Sequence, residues 1–255
     1  MANMNVQDVI ASLDNTIDFR DTNIMAQHNN FYRGKFLGNA LTAEQSANIR
    51  NGTFKDLYIG DYWVIGNITW RIVAIDYYYS CGDTACTTHH VVVVPDTSLY
   101  TAQMNTSNVV TGGYIGSAMY TSNLNTAKTT ISNAFGSGHI LTIRQLFTNS
   151  TNRDIANAFT WVDAAVWLMN EVNVYGTYAC TNVNYTNGWN ADKYSIDNSQ
   201  YPAFTMNPRL IHIRQDYWLR NVASSTYFAF VDGSGLSGTA DASDSRGVRP
   251  AFAIY

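Results

Sequence analysis

Two short apolar runs separated by two residues constrain this chain more than anything else in it. Tyr62-Trp63-Val64-Ile65 and Ile68-Thr69-Trp70-Arg71-Ile72-Val73-Ala74-Ile75 flank Gly66-Asn67. Strand-like runs joined by such a turn make a β-hairpin, because glycine at the first turn position takes up positive φ without a Cβ clash. Alternation then sets Ile68, Trp70, Ile72 and Ala74 on one face of the second strand. Val91 to Val94, closed by Pro95, reads as a buried strand. Strand character returns at Tyr217 to Arg220, Tyr227 to Val231 and Val248 to Ile254, with a small-residue loop expected from Asp232 to Arg246. A sheet is therefore required.

Composition agrees with a sheet-and-loop protein. The 255 residues hold 17 Asp but 2 Glu, 11 Arg but 4 Lys, and 27 Asn, 17 Gly and 17 Tyr. Glu and Lys normally coat exposed helices, so a helix bundle is disfavoured. Asn, Asp and Gly favour turns and Tyr favours strands. Several helices are still expected. Asn5 caps one carrying Val6, Val9, Ile10 and Leu13, and Thr42 to Arg50 forms another with Gly52 just past its end. Ser122 caps a third with Leu124, Ala127, Ile131 and Ala134 on one side, ending near Gly136. Asp163 caps a fourth with Val166, Met169 and Val172, ending at Gly176, and a shorter helix is expected at Ile143 to Phe147. Residues 1–55 read either as an arm that packs against something else or as a subdomain folded onto the core. Residues 56–255 form the main domain, irregular from 177 to 215.

Charge narrows the partners. A net charge of −4 and a pI near 5.6 do not supply the cation cluster that nucleic acid or an anionic membrane surface requires. No segment approaches the roughly 18 apolar residues of a membrane span, and the first residues lack a secretion-signal pattern. The chain is therefore expected to be made, and to stay, in a cytoplasm.

Few residues carry recognisable chemistry. Cys81, Cys86, His89 and His90 are the metal-like cluster, but adjacent histidines on a strand point to opposite faces. A Cys81–Cys86 disulfide and two ordinary loop thiols are the other readings. None of the five histidines sits in a nucleophile motif. Of the two glutamates, Glu171 reads as a structural group on a helix. Asp232, Asp241 and Asp244 read as solvated turn acids, since their spacing matches no standard calcium loop. Trp63, Trp70, Arg71, Trp218, Arg220, Arg249 and Pro250 read as framework, with arginines stacked on buried aromatics; a ligand-binding role is the alternative for the late arginines Arg220, Arg246 and Arg249. No catalytic residue, cofactor or metal is expected.

The order Gly60-Asp61-Tyr62-Trp63, Ile68-Thr69-Trp70-Arg71-Ile72-Val73, Tyr217-Trp218-Leu219-Arg220, Phe228 to Gly233 and Gly247-Val248-Arg249-Pro250-Ala251-Phe252-Ala253-Ile254 resembles a large family of bacterial and phage surface domains. That family is similar to the C-type-lectin fold, to formylglycine-generating enzymes and to phage variable receptor-binding proteins. The stretch from Phe36-Leu37-Gly38 through Gly52-Thr53-Phe54 and His89-His90 to Met169-Asn170-Glu171 and Tyr175-Gly176 resembles proteins of gut Firmicutes phages and prophages. The resemblance spans about residues 31–255. It implies an α+β, C-type-lectin-like fold: a twisted antiparallel sheet, two flanking helices, long irregular loops gathered on one side, and an N-terminal arm. It also implies that the terminal strand pairs with the hairpin strands near 62 to 75.

The function implied is that of a phage virion surface protein, a receptor-binding or adhesin component of a tail fibre or tip, or a head decoration. Its expected partners are a bacterial surface protein or glycan and other virion proteins, and a homo-oligomer is expected. The expected contact residues are Asn221, Ser224, Ser225, Tyr227, Asp232, Ser234, Leu236, Ser237, Asp241 and Ser243. They lie in segments rich in Ala, Ser, Thr, Tyr, Asp, Gly and Asn, the residues that adenine-targeted mutagenesis of Asn codons yields, so a diversified surface is expected. The alternatives are a purely structural decoration protein and an enzyme of the formylglycine-generating or carbohydrate-active kind.

Overall fold

The computed structural model describes residues 28–149, 159–181 and 199–255. The fold is α+β, rich in sheet and poor in helix. The chain runs β1 (Phe36–Gly38), α1 (Ala43–Arg50), β2 (Tyr62–Ile65), β3 (Ile68–Ile75), β4 (Val91–Pro95), β5 (Tyr100–Ala102), α2 (Gly113–Gly116) and α3 (Leu124–Phe135). It continues with β6 (Ile140–Leu141), β7 (Ile143–Thr148), β8 (Phe159–Ala164), β9 (Val166–Leu168), α4 (Glu171–Tyr175) and α5 (Pro202–Met206). It ends with β10 (Tyr217–Val222), β11 (Tyr227–Val231), β12 (Ser237–Asp241), β13 (Arg246–Val248) and β14 (Pro250–Ile254).

The β2–β3 hairpin forms as its sequence dictates, with Gly66 and Asn67 both at φ 62°. It belongs to a seven-stranded sheet ordered β1-β2-β3-β4-β14-β6, with β9 also paired to β14. The terminal strand therefore does not pair with the hairpin. β4 lies between them, taking β3 on one side and Phe252, Ala253 and Ile254 on the other. The all-apolar Val91–Pro95 run is buried along its whole length, as a central strand must be. The two ends of the domain meet through packing instead. Phe135 of α3 sits 5.8 Å from the Trp63 ring, 5.7 Å from Trp70 and 5.4 Å from Phe252, and Trp70 meets Phe252 at 5.5 Å.

Residues 28–55 are stitched onto this sheet: β1 pairs with β2, and Ile49 and Phe54 are fully buried. The α1 capping box joins Thr42 and Gln45, whose side chain also accepts the Trp63 indole N–H at 3.0 Å. The helix expected after Asn5 lies outside the described residues. α3 buries Leu124, Ala127, Ile131 and Phe135, but Ser122 does not cap it. A π turn over Met119–Asn123 leads straight into the helix, and the Ser122 hydroxyl donates back to the Ala118 carbonyl.

Three expected elements are corrected. The segment from Asp163 to Gly176 is not one helix. Val166, Trp167 and Leu168 are all buried in β9 and only Glu171–Tyr175 is helical, capped by Asn170 and closed by left-handed Gly176. A continuous apolar run buried on both faces, rather than i, i+3 spacing, was the governing pattern. Asp163 itself is exposed on β8, 3.6 Å from Arg144. Ile143 to Phe147 is strand β7, not helix; it pairs with β8. The two flanking helices thus reduce to one long helix, α3, and several short ones among the described residues.

Ser237 to Asp241, expected to lie within a loop, forms strand β12. It belongs to a second, five-stranded sheet ordered β12-β11-β10-β13-β5. Only short turns at Asp232 to Leu236 and Ala242 to Ser245 remain. Of the irregular 177–215 stretch, residues 182–198 lie outside the described residues, and α5 follows them.

Candidate ligand-binding face

The late arginines tie this second sheet to the first. Arg249 is buried, with Nε 2.9 Å from the Pro95 carbonyl and its guanidinium 5.0 Å from the Tyr217 ring. Arg220 is also buried. It donates to the Leu168 carbonyl at 3.2 Å and stacks on Phe147 at 4.7 Å. Trp218 donates to the Ala102 carbonyl at 2.9 Å. Pro250 pairs with Leu168, and Arg71 forks onto Asp96 with Nε at 2.7 Å. The Arg249, Arg220 and Trp218 contacts hold the sheet that carries the candidate residues, whereas those of Pro250 and Arg71 lie in the first sheet.

β10, β11 and β12 form a meander, so its turns fall at opposite ends and do not gather on one side. Ser224, Ser225, Tyr227, Asp241 and Ser243 lie at one end; Asp232, Ser234, Leu236 and Ser237 lie at the other. The five residues of β11 separate the ends by about 14 Å. Asn221 belongs to neither end. Its side-chain carbonyl accepts the Glu171 backbone N–H at 2.8 Å, so it faces inward.

Each turn is set by its own hydrogen bonds. The Ser224 hydroxyl accepts from the Thr226 and Tyr227 backbone N–H groups at 3.2 and 3.1 Å. Ser243 donates to Asn108, which brings the Asn105 to Val109 loop to the same end and adds exposed Val109 to exposed Tyr227. At the other end one Asp232 oxygen accepts from Ser234 N–H at 2.8 Å, from its hydroxyl at 2.7 Å and from Leu236 N–H at 2.9 Å. Tyr175 donates its hydroxyl to the Gly235 carbonyl at 3.0 Å, and Gly235 takes φ 94°, which a side chain would strain. Leu236 rides on this turn at 68% exposure.

Between the ends, register puts Tyr227 with Asp241, Ala229 with Thr239, and Val231 with Ser237 on one face of the sheet. Ala229 and Val231 on this face are fully buried and the Ser237 hydroxyl turns inward, so the exposed candidates make a narrow band at the two ends of β12 rather than a pocket. Thr239, exposed in the middle of that band, was missed because its segment read as loop; Ser-Gly-Thr-Ala-Asp carries too few apolar residues to show alternation. Under the band, Glu171 is fully buried. Its carboxylate accepts the backbone N–H groups of Cys180 at 2.8 Å and Thr181 at 3.0 Å, the Thr181 hydroxyl, and the Ser237 hydroxyl at 2.6 Å.

Hydrogen bonds from the Ser234 hydroxyl, and then from the Leu236 N–H, hold the Asp232 carboxyl below its ordinary pKa. The unfolded chain therefore takes up a proton before the folded turn does. The turn's contribution is complete above the ordinary carboxylate value and is lost as pH falls below it toward the lower folded value. Amide hydrogen exchange checks this: Asp232→Ala should lose protection at Leu236 at neutral pH, while the wild-type turn keeps it at pH 5. Equal protection in both proteins would contradict the assignment.

The metal-like cluster disperses. Cys81, Cys86 and Cys180 are free thiols, and burial pushes the Cys86 thiol pKa up. His89 lies 2.6 Å from Asp76 and stacks on Tyr79, whereas buried His90 accepts the Tyr78 N–H at 3.2 Å. Among the described residues no group of three or more His, Cys, Asp or Glu is placed to hold a metal. An open hollow borders Thr84, Cys86, Thr88, Leu141, Arg144 and Asp163, away from every candidate contact residue. No helix among the described residues is long and apolar enough to cross a membrane.

No protein-family model matches this chain, and no curated protein or solved structure does.

Proposed function

We propose that this chain is a phage virion surface protein whose C-type-lectin-like domain displays a ligand-binding face to a bacterial surface protein or glycan. The observation that carries the reading is the band on the β10–β12 sheet. Internally hydrogen-bonded turns hold Tyr227 and Leu236 outward, at 39% and 68% exposure, on a sheet locked to the rest of the core by buried Arg220 and Arg249. Tyrosine with serine, asparagine and glycine gives adaptable contact at low ordering cost, as in antibody loops. Because the turns are fixed by backbone and short polar side chains, their outward residues can vary without unsettling the sheet. Many copies on a particle would convert weak individual contacts into firm attachment.

Immunogold labelling of purified gut Firmicutes phage particles whose genome encodes the chain tests the location. Regular labelling of tail or head is expected. Particles that carry no label, with the chain found only in the lysate, would overturn it.

A further inference from the structure

We infer that β12 is a self-pairing edge through which two copies of this chain join into one continuous sheet. β12 ends the five-stranded sheet, and its pairing with β11 fixes which backbone groups are left over. Ala242 N–H bonds to the Thr226 carbonyl, and Asp232 N–H to the Leu236 carbonyl. In an antiparallel ladder hydrogen-bonded pairs alternate, so the even-numbered residues of β12 face β11. The N–H and C=O groups of Ser237, Thr239 and Asp241 point away from it. Among the described residues the Asp241 carbonyl receives Asp244 N–H, and no strand pairs with this edge.

The sequence of the edge guards it weakly. Such edges are normally blunted by charged side chains, proline or a bulge. Ser237-Gly238-Thr239-Ala240-Asp241 has no proline and a single charge, Asp241 at its end, and its register with β11 runs unbroken over all five pairs. Its side chains are small and add little bulk beside the edge.

A second copy fits better than an unrelated strand because the register solves the charge problem. An antiparallel two-fold through Thr239 places each Thr239 opposite its twin, a favourable cross-strand pair. Each Asp241 then falls opposite Ser237 of the other copy, a small neutral residue whose hydroxyl proton stays with Glu171. The two Asp241 carboxylates end up about 14 Å apart, beyond the Debye length at physiological salt. About four backbone hydrogen bonds would close the seam, since each Asp241 carbonyl already receives Asp244 N–H. Side chains directly opposite in such a pair share a face, so both copies would present Tyr227, Thr239 and Asp241 on the same side. The pairing itself stands apart from the identity of any ligand.

Light scattering on the full chain at tens of micromolar reads the outcome. The wild type should show twice the chain's 28.4 kDa. Thr239→Pro removes only an outward N–H, which an edge strand tolerates, and should run as a single chain with unchanged near-ultraviolet circular dichroism. Thr239→Lys, which sets two like charges opposite each other without touching the backbone, should do the same. Thr239→Val should remain a dimer. A monomeric wild type, or a dimer that neither Thr239→Pro nor Thr239→Lys disrupts, would overturn the inference. A monomer that still binds bacterial cells would overturn the pairing and leave the proposed function standing.

Discussion

Replacing Trp70 with alanine should cost about 3–5 kcal/mol of unfolding free energy, the largest loss expected from one core side chain here. Trp70 is fully buried on β3, and its ring meets Phe135 and Phe252 at 5.7 and 5.5 Å. Those partners come from the long helix and from the last strand, so one truncation opens a cavity where three distant parts of the chain join. The indole N–H also donates to the Ile65 carbonyl at 3.2 Å, a bond that alanine cannot replace. Denaturant unfolding followed by tryptophan fluorescence measures the loss. Trp70→Phe, which keeps most of the packing, should recover much of it. A cost below about 1 kcal/mol for the alanine variant would mean that the sheet does not close through this cluster.

Glu171→Ala should cost a similar amount, about 3–5 kcal/mol, for a different reason. The carboxylate is fully buried and compensated by four donors from two backbone amides and two hydroxyls. The Thr181 and Ser237 hydroxyls can turn to other acceptors, but the Cys180 and Thr181 N–H groups are fixed and would be left unpaired. Each such group costs about 1–3 kcal/mol. Glu171→Gln keeps one acceptor oxygen but points an amide NH2 at these donors, so it should fall between alanine and wild type. The variant also releases Ser237, the first residue of β12, so hydrogen exchange should rise along that strand as well as at residues 180 and 181. Equal stability of Glu171→Ala and wild type would show that the carboxylate is not the anchor of the band.

Local chemistry made part of this architecture legible from sequence. The Gly66-Asn67 turn, the Val91–Pro95 strand, the helix running to Arg50 and the strands at 217 and 227 follow from residues a few positions apart, whereas the run expected as one strand from Val248 to Ile254 divides at Arg249 between the two sheets. Burial on both faces removes the periodic signal elsewhere. Val166-Trp167-Leu168 has no polar alternation, so three apolar residues at helical spacing suggested a helix that tertiary pairing with β14 forbids. Ser237 to Asp241 failed in the opposite way. Its small polar residues look like loop, and only the Tyr227–Val231 partner makes it a strand.

The candidate site was half legible for the same reason. Tyr227, Asp232 and Leu236 stand in a sequence stretch whose composition marked it, but sequence order suggested one loop cluster where the meander makes two ends. Thr239, and the Asn105 to Val109 loop that Ser243 captures, are brought in by pairing across 135 residues or by strand register. Asn221 looked like a contact residue because its neighbours are small and polar. Its actual partner is the Glu171 amide, 50 positions away.

Binding tests the account's central claim most directly. Fluorescently labelled full chain should bind gut Firmicutes cells saturably. The double substitution Tyr227→Ala and Leu236→Ala should weaken that binding by about tenfold or more, since an aromatic anchor such as Tyr227 carries much of the energy of such interfaces. Its melting temperature should stay near that of the wild type, because both side chains point to solvent. Binding that is absent from every such strain, or equally strong after both side chains are removed, would contradict the account.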